Sequence, residues 1–112
     1  MFTERQNKVS KLIQKDISDI FQKHTKEWFG STMVTVTVVR ITKDLSIASI
    51  YLSVFPSEKA DEIVELMNFN VKTVRFELGN RIRHQLKHVP ELRFFKDDSL
   101  DHIDRIDKLL NG

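Results

Sequence analysis

Residues 33–55 read MVTVTVVRITKDLSIASIYLSVF. In the first half, Val34, Val36 and Val38 alternate with Thr35, Thr37 and Val39, and in the second half Ala48, Ile50, Leu52 and Val54 share one side. A period of two in β-branched residues is the signature of a strand with one buried face. Between the halves, TKDLS at 42–46 supplies the Asp and hydroxyl side chains that favour a turn. The stretch therefore predicts an antiparallel hairpin, and the segments on either side of it have helical periodicity.

Upstream, Thr3 and Gln6 have capping-box spacing, and Val9, Leu12, Ile13, Ile17, Ile20 and Phe21 recur at helical intervals. A helix is expected from about residue 4 to the mid-twenties, ended near Gly30, with Trp28 at the edge of the core. Downstream, Pro56 closes the second strand and Ser57 is placed to cap a short helix through EKADEIVELM. Asn68 and Asn70 interrupt that helix, because asparagine competes with helical hydrogen bonds through its own side chain. A further helix runs from Val71 to Pro90, where the missing amide stops it. ELRFF at 91–95 is a short strand, and Ser99, with Asp98, caps a final helix carrying Leu100, Ile103, Ile106 and Leu110. Helix, strand, strand, helix, helix, strand and a C-terminal helix make an α+β fold: one three-stranded sheet packed by helices on one face. At 112 residues the chain is expected to be a single domain spanning 1–112.

Charge is distributed unevenly. The formal net charge is only +2, yet residues 70–89 hold Lys72, Arg75, Arg81, Arg83 and Lys87 against the single acid Glu77. In the helix expected there, Val71, Val74, Leu78, Ile82 and Leu86 form the buried stripe. Lys72, Phe76, Asn80, Arg83 and Lys87 form a second stripe well away from it, with His84 alongside. Cations that displace the counterions of phosphates drive nucleic-acid binding without reading sequence. An exposed aromatic ring can stack on an unpaired base, and amide or imidazole groups can reach ribose or base edges. The other reading of the same residues is a solvated helix face with Phe76 at the core margin. Arg5, Lys8, Lys11 and Lys15 on the first helix extend the basic surface, although acids lie among them, and Arg40 and Lys43 near the hairpin turn add less.

Other chemistry finds little support. There is no cysteine, hence no disulfide framework and no thiolate metal site. His84 and His88 have metal-ligand spacing, but Gln85 stands where a zinc protease would need glutamate, so a solvent- or phosphate-facing pair is expected. Asp97, Asp98, Asp101, Asp104 and Asp107 fit helix capping and a solvated face better than a nuclease centre. Glu91 is expected to be a structural partner for Arg93 or the sheet edge, or else an interface residue. No nucleophile and base stand in a recognisable arrangement, no cofactor is implied, and no segment approaches the roughly 20 apolar residues of a membrane span. A cytosolic protein without enzymatic activity is expected.

Three segments, VTVTVVRITKDLSIASIYLSV at 34–54, VRFELGNRIR at 74–83 and VPELRFFKDDSL at 89–100, resemble the ribosome-binding factor A family of bacterial small-subunit assembly factors. The likeness rests on Asp44, Leu45 and Ala48 in the hairpin and on Pro90, Glu91, Leu92, Phe94, Asp97 and Ser99 near the end. It implies a type II K-homology-like fold and a protein that binds the small ribosomal subunit and its rRNA during maturation, including at low temperature, with no catalysis; a monomer is expected. The chain departs from the family at 70–72, where Asn70, Val71 and Lys72 replace its usual Ala-x-Gly, and in a loop before Pro90 about two residues longer than the family's. The lone Gly79 cannot make the two-glycine clamp of ordinary K-homology domains, which points to recognition of a folded RNA surface. It is expected to let two helices pack closely or an RNA backbone approach. Two rival functions remain open at this stage: a K-homology-like module for another RNA, and a protein-interaction domain whose basic helix meets an acidic partner.

Overall fold

The computed structural model describes residues 2–97, so the helix expected from Ser99 and its cap at Asp98 lie outside the described residues. Helix α1 spans Glu4–Lys23 and begins with the capping box the sequence announces. Gln6 donates its amide to Thr3 Oγ1 at 3.1 Å, and Thr3 returns its amide to Gln6 Oε1 at 2.9 Å. Gln6 also does something that spacing alone does not reveal. Its buried side-chain nitrogen donates to the carbonyl of Ile41 at 2.8 Å, pinning the start of the helix to the end of the first strand. Val9, Ile13, Ile17, Ile20 and Phe21 then bury one face of α1. A wide turn at Thr25–Phe29 follows, and Gly30, at φ +61°, takes the chain into the sheet through a conformation that a Cβ would disfavour.

Strands β1 (Met33–Ile41) and β2 (Ile47–Phe55) form the antiparallel hairpin, but the alternation read from the sequence holds only to Val36. The register pairs Val36 with Leu52 and Val38 with Tyr51, leaving Thr37 as an extra residue in a β-bulge. Beyond the bulge the faces exchange: Val39 and Ile41 turn into the core and Val38 turns out. The chain accommodates this because Gln14 of α1 reaches the bulge, donating to the carbonyls of Val36 and Thr37 at 3.4 and 3.2 Å. Asp44 organises the turn, accepting from Ser46 Oγ and Thr42 Oγ1 at 2.7 Å each, and these hydroxyls hold its carboxyl below the usual range.

After β2 the chain makes a single 3-10 turn, Ser57–Lys59, before helix α2 (Ala60–Phe69). Ser57 lies inside that turn, which Pro56 opens through its carbonyl, so Ser57 is not the cap expected of it. Helix α3 (Val71–Ile82) follows a junction at Asn70, whose side chain donates to the carbonyl of Leu66 at 2.9 Å. With φ −101° and ψ 22°, Asn70 leaves helical geometry and separates α2 from α3. Strand β3 (Glu91–Lys96) then pairs parallel to β2, giving the sheet order β1-β2-β3. Its outer edge is not left bare. The side-chain amide of Asn68 donates to the Phe94 carbonyl and accepts the Phe94 amide, both at 2.9 Å, as a neighbouring strand would.

All three helices lie on one face of the sheet, over a core of Ile13, Ile17, Ile50, Leu52, Val74, Leu78, Ile82 and Phe94. At one end of α1, Phe21 packs edge-on against Phe29, and His24 stacks on Trp28 with centroids 4.2 Å apart. Trp28 is half-buried against the core, as expected from the sequence. His24 Nε2 lies 2.8 Å from a Glu77 carboxylate oxygen, tying α1 to α3, and Lys23 adds a longer contact of 3.5 Å. The hydrogen bond to Glu77 raises the His24 pKa against the opposing effect of burial. For Glu77, burial pushes upward, but the His24 hydrogen bond and charge outweigh it and hold the carboxyl low.

Three outcomes follow from these contacts. Ile82→Asp places a carboxylate at a fully buried position and should cost several kcal/mol, comparable with the whole stability of a small domain; an unchanged melting temperature would mean the buried face is misassigned. Gln6→Ala removes the acceptor of the Thr3 amide and the tie to Ile41, leaving the backbone bond to Thr3 Oγ1 in place, and should lower unfolding free energy by about 1–3 kcal/mol in a urea titration. The His24–Glu77 contribution has a definite pH window. A raised His pKa stabilises fully below its ordinary value of 6.5 and loses the effect as pH climbs through the folded value. A lowered Glu pKa stabilises fully above its ordinary 4.5 and loses the effect as pH falls through the folded value. The stability difference between wild type and His24→Ala, measured across pH, should therefore peak between those two values and shrink on the alkaline side.

Candidate nucleic-acid interface

Helix α3 stops at Ile82, eight residues before Pro90, which corrects the long basic helix expected from the sequence. The reason is the sheet. Glu91 must stand beside Ile47, with its amide donating to the carbonyl of Ser46 at 2.8 Å. Seven more helical residues would carry the chain about 10 Å further along the axis, with only Pro90 left for the return. Instead Gln85 and Leu86 both hang on the carbonyl of Ile82, and residues 83–90 fold back along the helix they have just left.

Arg75 holds this return. Its guanidinium donates to the carbonyl of Pro90 at 3.0 Å through Nε and to that of Val89 at 2.7 Å through Nη2. Gly79 permits it: a Cβ there would sit 3.1 Å from Val89 Cγ2, tighter than ordinary packing. The close neighbour of Gly79 is thus the return loop of its own chain, not a second helix.

Between α3 and the loop lies an open cleft of about 520 Å³. The helix contributes Lys72, Phe76 and Asn80, and the loop contributes Lys87, His88 and Val89. Four of the five residues of the expected basic stripe thus meet in one place, although only three of them are helical. Phe76 is 71% exposed, so it is not tucked into the core margin as the bland reading would have it. An exposed ring flanked by two ammonium groups, an amide and an imidazole can accept a base on the ring and phosphates on the cations.

The other sequence candidates are distributed differently. Arg75 lines the cleft but spends its donors on the loop carbonyls. Arg81 turns to α1, with Nη1 3.5 Å from Asp19 and 3.9 Å from Asp16. Arg83 and His84 are exposed on the turn after α3, outside the cleft lining, and the early helix end separates His84 from the helical spacing it would share with His88. Arg5, Lys8 and Lys11 are exposed on α1, where Lys8 pairs with Glu4 at 3.4 Å. Glu91 is 3.4 Å from Arg93, the structural pairing anticipated for it. The sequence reading did not single out Phe69, which is 87% exposed at the end of α2; an aromatic just before the helix-breaking Asn70 was the available signal. Among the described residues no group of three or more His, Cys, Asp or Glu is arranged to hold a metal ion, and no helix is long and apolar enough to cross a membrane.

Comparison with known proteins points to one family. A chain from Flavobacterium johnsoniae named ribosome-binding factor A is 45% identical over all of this chain and 87% of its own length, and one from Christiangramia forsetii with the same name is 44% identical over 98% and 85%. The crystal structure of ribosome-binding factor A from Thermus thermophilus superposes with a TM-score of 0.68 at 19% identity, covering 81% of this chain and 94% of that one. A homology model of the Thermus thermophilus factor, fitted into a cryo-electron-microscopy map of its 30S complex, superposes at 0.63 and 21% identity, covering 80% and 91%. At these identities the structural likenesses carry the fold, and the sequence carries the family. The model of ribosome-binding factor A matches residues 5–110, from the first turn of α1 to beyond β3, and the chain belongs to that family.

Proposed function

We propose that this protein is a non-enzymatic rRNA-binding factor that acts on free small ribosomal subunits during their maturation, and that the cleft between α3 and its return loop is the RNA contact. The observation that carries the reading is the convergence of Lys72, Phe76, Asn80, Lys87 and His88 on one open cleft held by Arg75. Family membership supports the ribosomal partner, as does the 30S complex of the Thermus thermophilus relative. Two cations beside a stacking ring suit an RNA whose backbone is reachable and whose base is unpaired, and His88 and Asn80 add hydrogen-bonding groups for ribose or base edges. Arg83 on the following turn, and Arg5, Lys8 and Lys11 on α1, are candidates for longer-range phosphate contacts.

Salt separates the electrostatic from the stacking contributions. If Lys72 and Lys87 each neutralise one phosphate, replacing both with alanine should flatten the slope of log affinity against log salt by about 1.4–1.8. Phe76→Ala should weaken binding by roughly 1–3 kcal/mol and leave that slope alone. Filter binding of purified small subunits across a KCl series measures both. A wild-type slope in the lysine double variant would remove the cleft from the interface. Survival of the partner after nuclease digestion would point to an acidic protein, and co-sedimentation with polysomes rather than free small subunits to another RNA.

A further inference from the structure

The three helices cover one face of the sheet; the other carries a second chemistry laid out in rows by the strand register. Arg40 pairs with Ser49 and Ser49 with Arg93, so one row across the sheet is cationic at both ends. The next row is Val38, Tyr51 and Phe95, displaced by one residue in β1 from strict alternation because of the bulge at Thr37. Tyr51 and Phe95 stack with centroids 5.5 Å apart and planes 29° from parallel, making a continuous ledge, and Phe95 is 40% exposed. The Arg40 guanidinium lies 5.9 Å from the Tyr51 ring and 6.0 Å from that of Phe2. Among the described residues nothing covers this ledge.

We infer that the open sheet face is a second nucleic-acid contact, which takes an unpaired stretch of RNA with bases on Tyr51 and Phe95 and phosphates on Arg40 and Arg93. The inference rests on the RNA reading of the cleft and extends it to a different surface. Charge and register select this occupant over a protein. Rows two residues apart along a strand lie about 7 Å from each other, a length similar to that between base and phosphate within one nucleotide. A flat ring row beside a cation row is complementary to a stacked base beside its phosphate, whereas an apolar protein surface would leave Arg40 without a counter-charge. Among the described residues, Arg40 meets the edge of the ledge with its donors unused by any carboxylate, and Arg93 has an exposed pairing to Glu91 at 3.4 Å, which a phosphate can displace. Glu91 and Asp97 bound the face along β3, Asp97 accepting from Thr37 Oγ1, so the positive character is confined to the middle.

The test is a two-dimensional amide NMR titration of the full chain with octauridylate, a single strand with no base pairing. Amides of Arg40, Tyr51 and Phe95 should shift along with those of Asn80 and Lys87 in the cleft. Phe95→Ala should remove the sheet-face set, leave the cleft set, and weaken affinity roughly 5- to 150-fold. Arg40→Ala should lower the salt slope by about 0.7. Shifts confined to the cleft, or wild-type affinity in a folded Phe95→Ala chain, would overturn the sheet-face contact and leave the cleft standing. Absence of shifts in both sets would overturn both, since the RNA reading itself would then have failed.

Discussion

The parallel pairing of β3 with β2 constrains the rest of the molecule. A parallel neighbour cannot be reached by a tight turn, so the chain needs a crossover, and α2 and α3 supply it. The crossover has to deliver Glu91 beside Ile47, which fixes where α3 can stop and forces residues 83–90 back along its side. The bonds from Arg75 to the Val89 and Pro90 carbonyls secure that return, and the missing side chain at Gly79 makes room for it. A topological requirement of the sheet thereby creates a cleft on the surface of a helix.

The same constraint explains the distribution of positive charge. Arg75 and Arg81 are exposed but engaged by the chain itself, one with loop carbonyls and the other with Asp16 and Asp19 of α1. Lys72 and Lys87 are left exposed on either side of Phe76. A net charge of +2 concealed this division, because the acids that balance the total lie mainly on other elements. Guanidinium groups, with several donors in a fixed plane, suit the internal ties; single ammonium groups on flexible stems suit a mobile phosphate backbone.

Much of the fold was legible in the sequence. The capping box at Thr3 and Gln6, the two strands of the hairpin and the break at Asn70 are local signals that were realised, although the Ser57 cap was not and the β1 alternation stops at Val36. What could not be read were features decided by distant partners. The bulge at Thr37 depends on Gln14 in α1, and the edge cover of β3 depends on Asn68 in α2. The end of α3 depends on the position of β2, while its sequence keeps helical periodicity as far as Leu86. The candidate site was legible in composition and misplaced in geometry. Lys72, Phe76, Asn80 and Lys87 do come together, but through a folded-back loop, while Arg83 and His84 stay outside. The ring and cation rows of the open sheet face were hidden from the sequence, since only the two strand registers bring Arg40, Ser49 and Arg93 into line.

The central claim is that Arg75 builds the cleft by holding the loop that carries Lys87. A double-mutant cycle on small-subunit affinity tests it most directly, using Arg75→Ala, Lys87→Ala and the pair. If the loop is presented by Arg75, the Lys87 substitution should cost much less once Arg75 is gone, giving a coupling of at least about 0.5 kcal/mol. Strict additivity, with the fold of each variant intact, would mean that Lys87 reaches its partner without the clamp and would contradict the account.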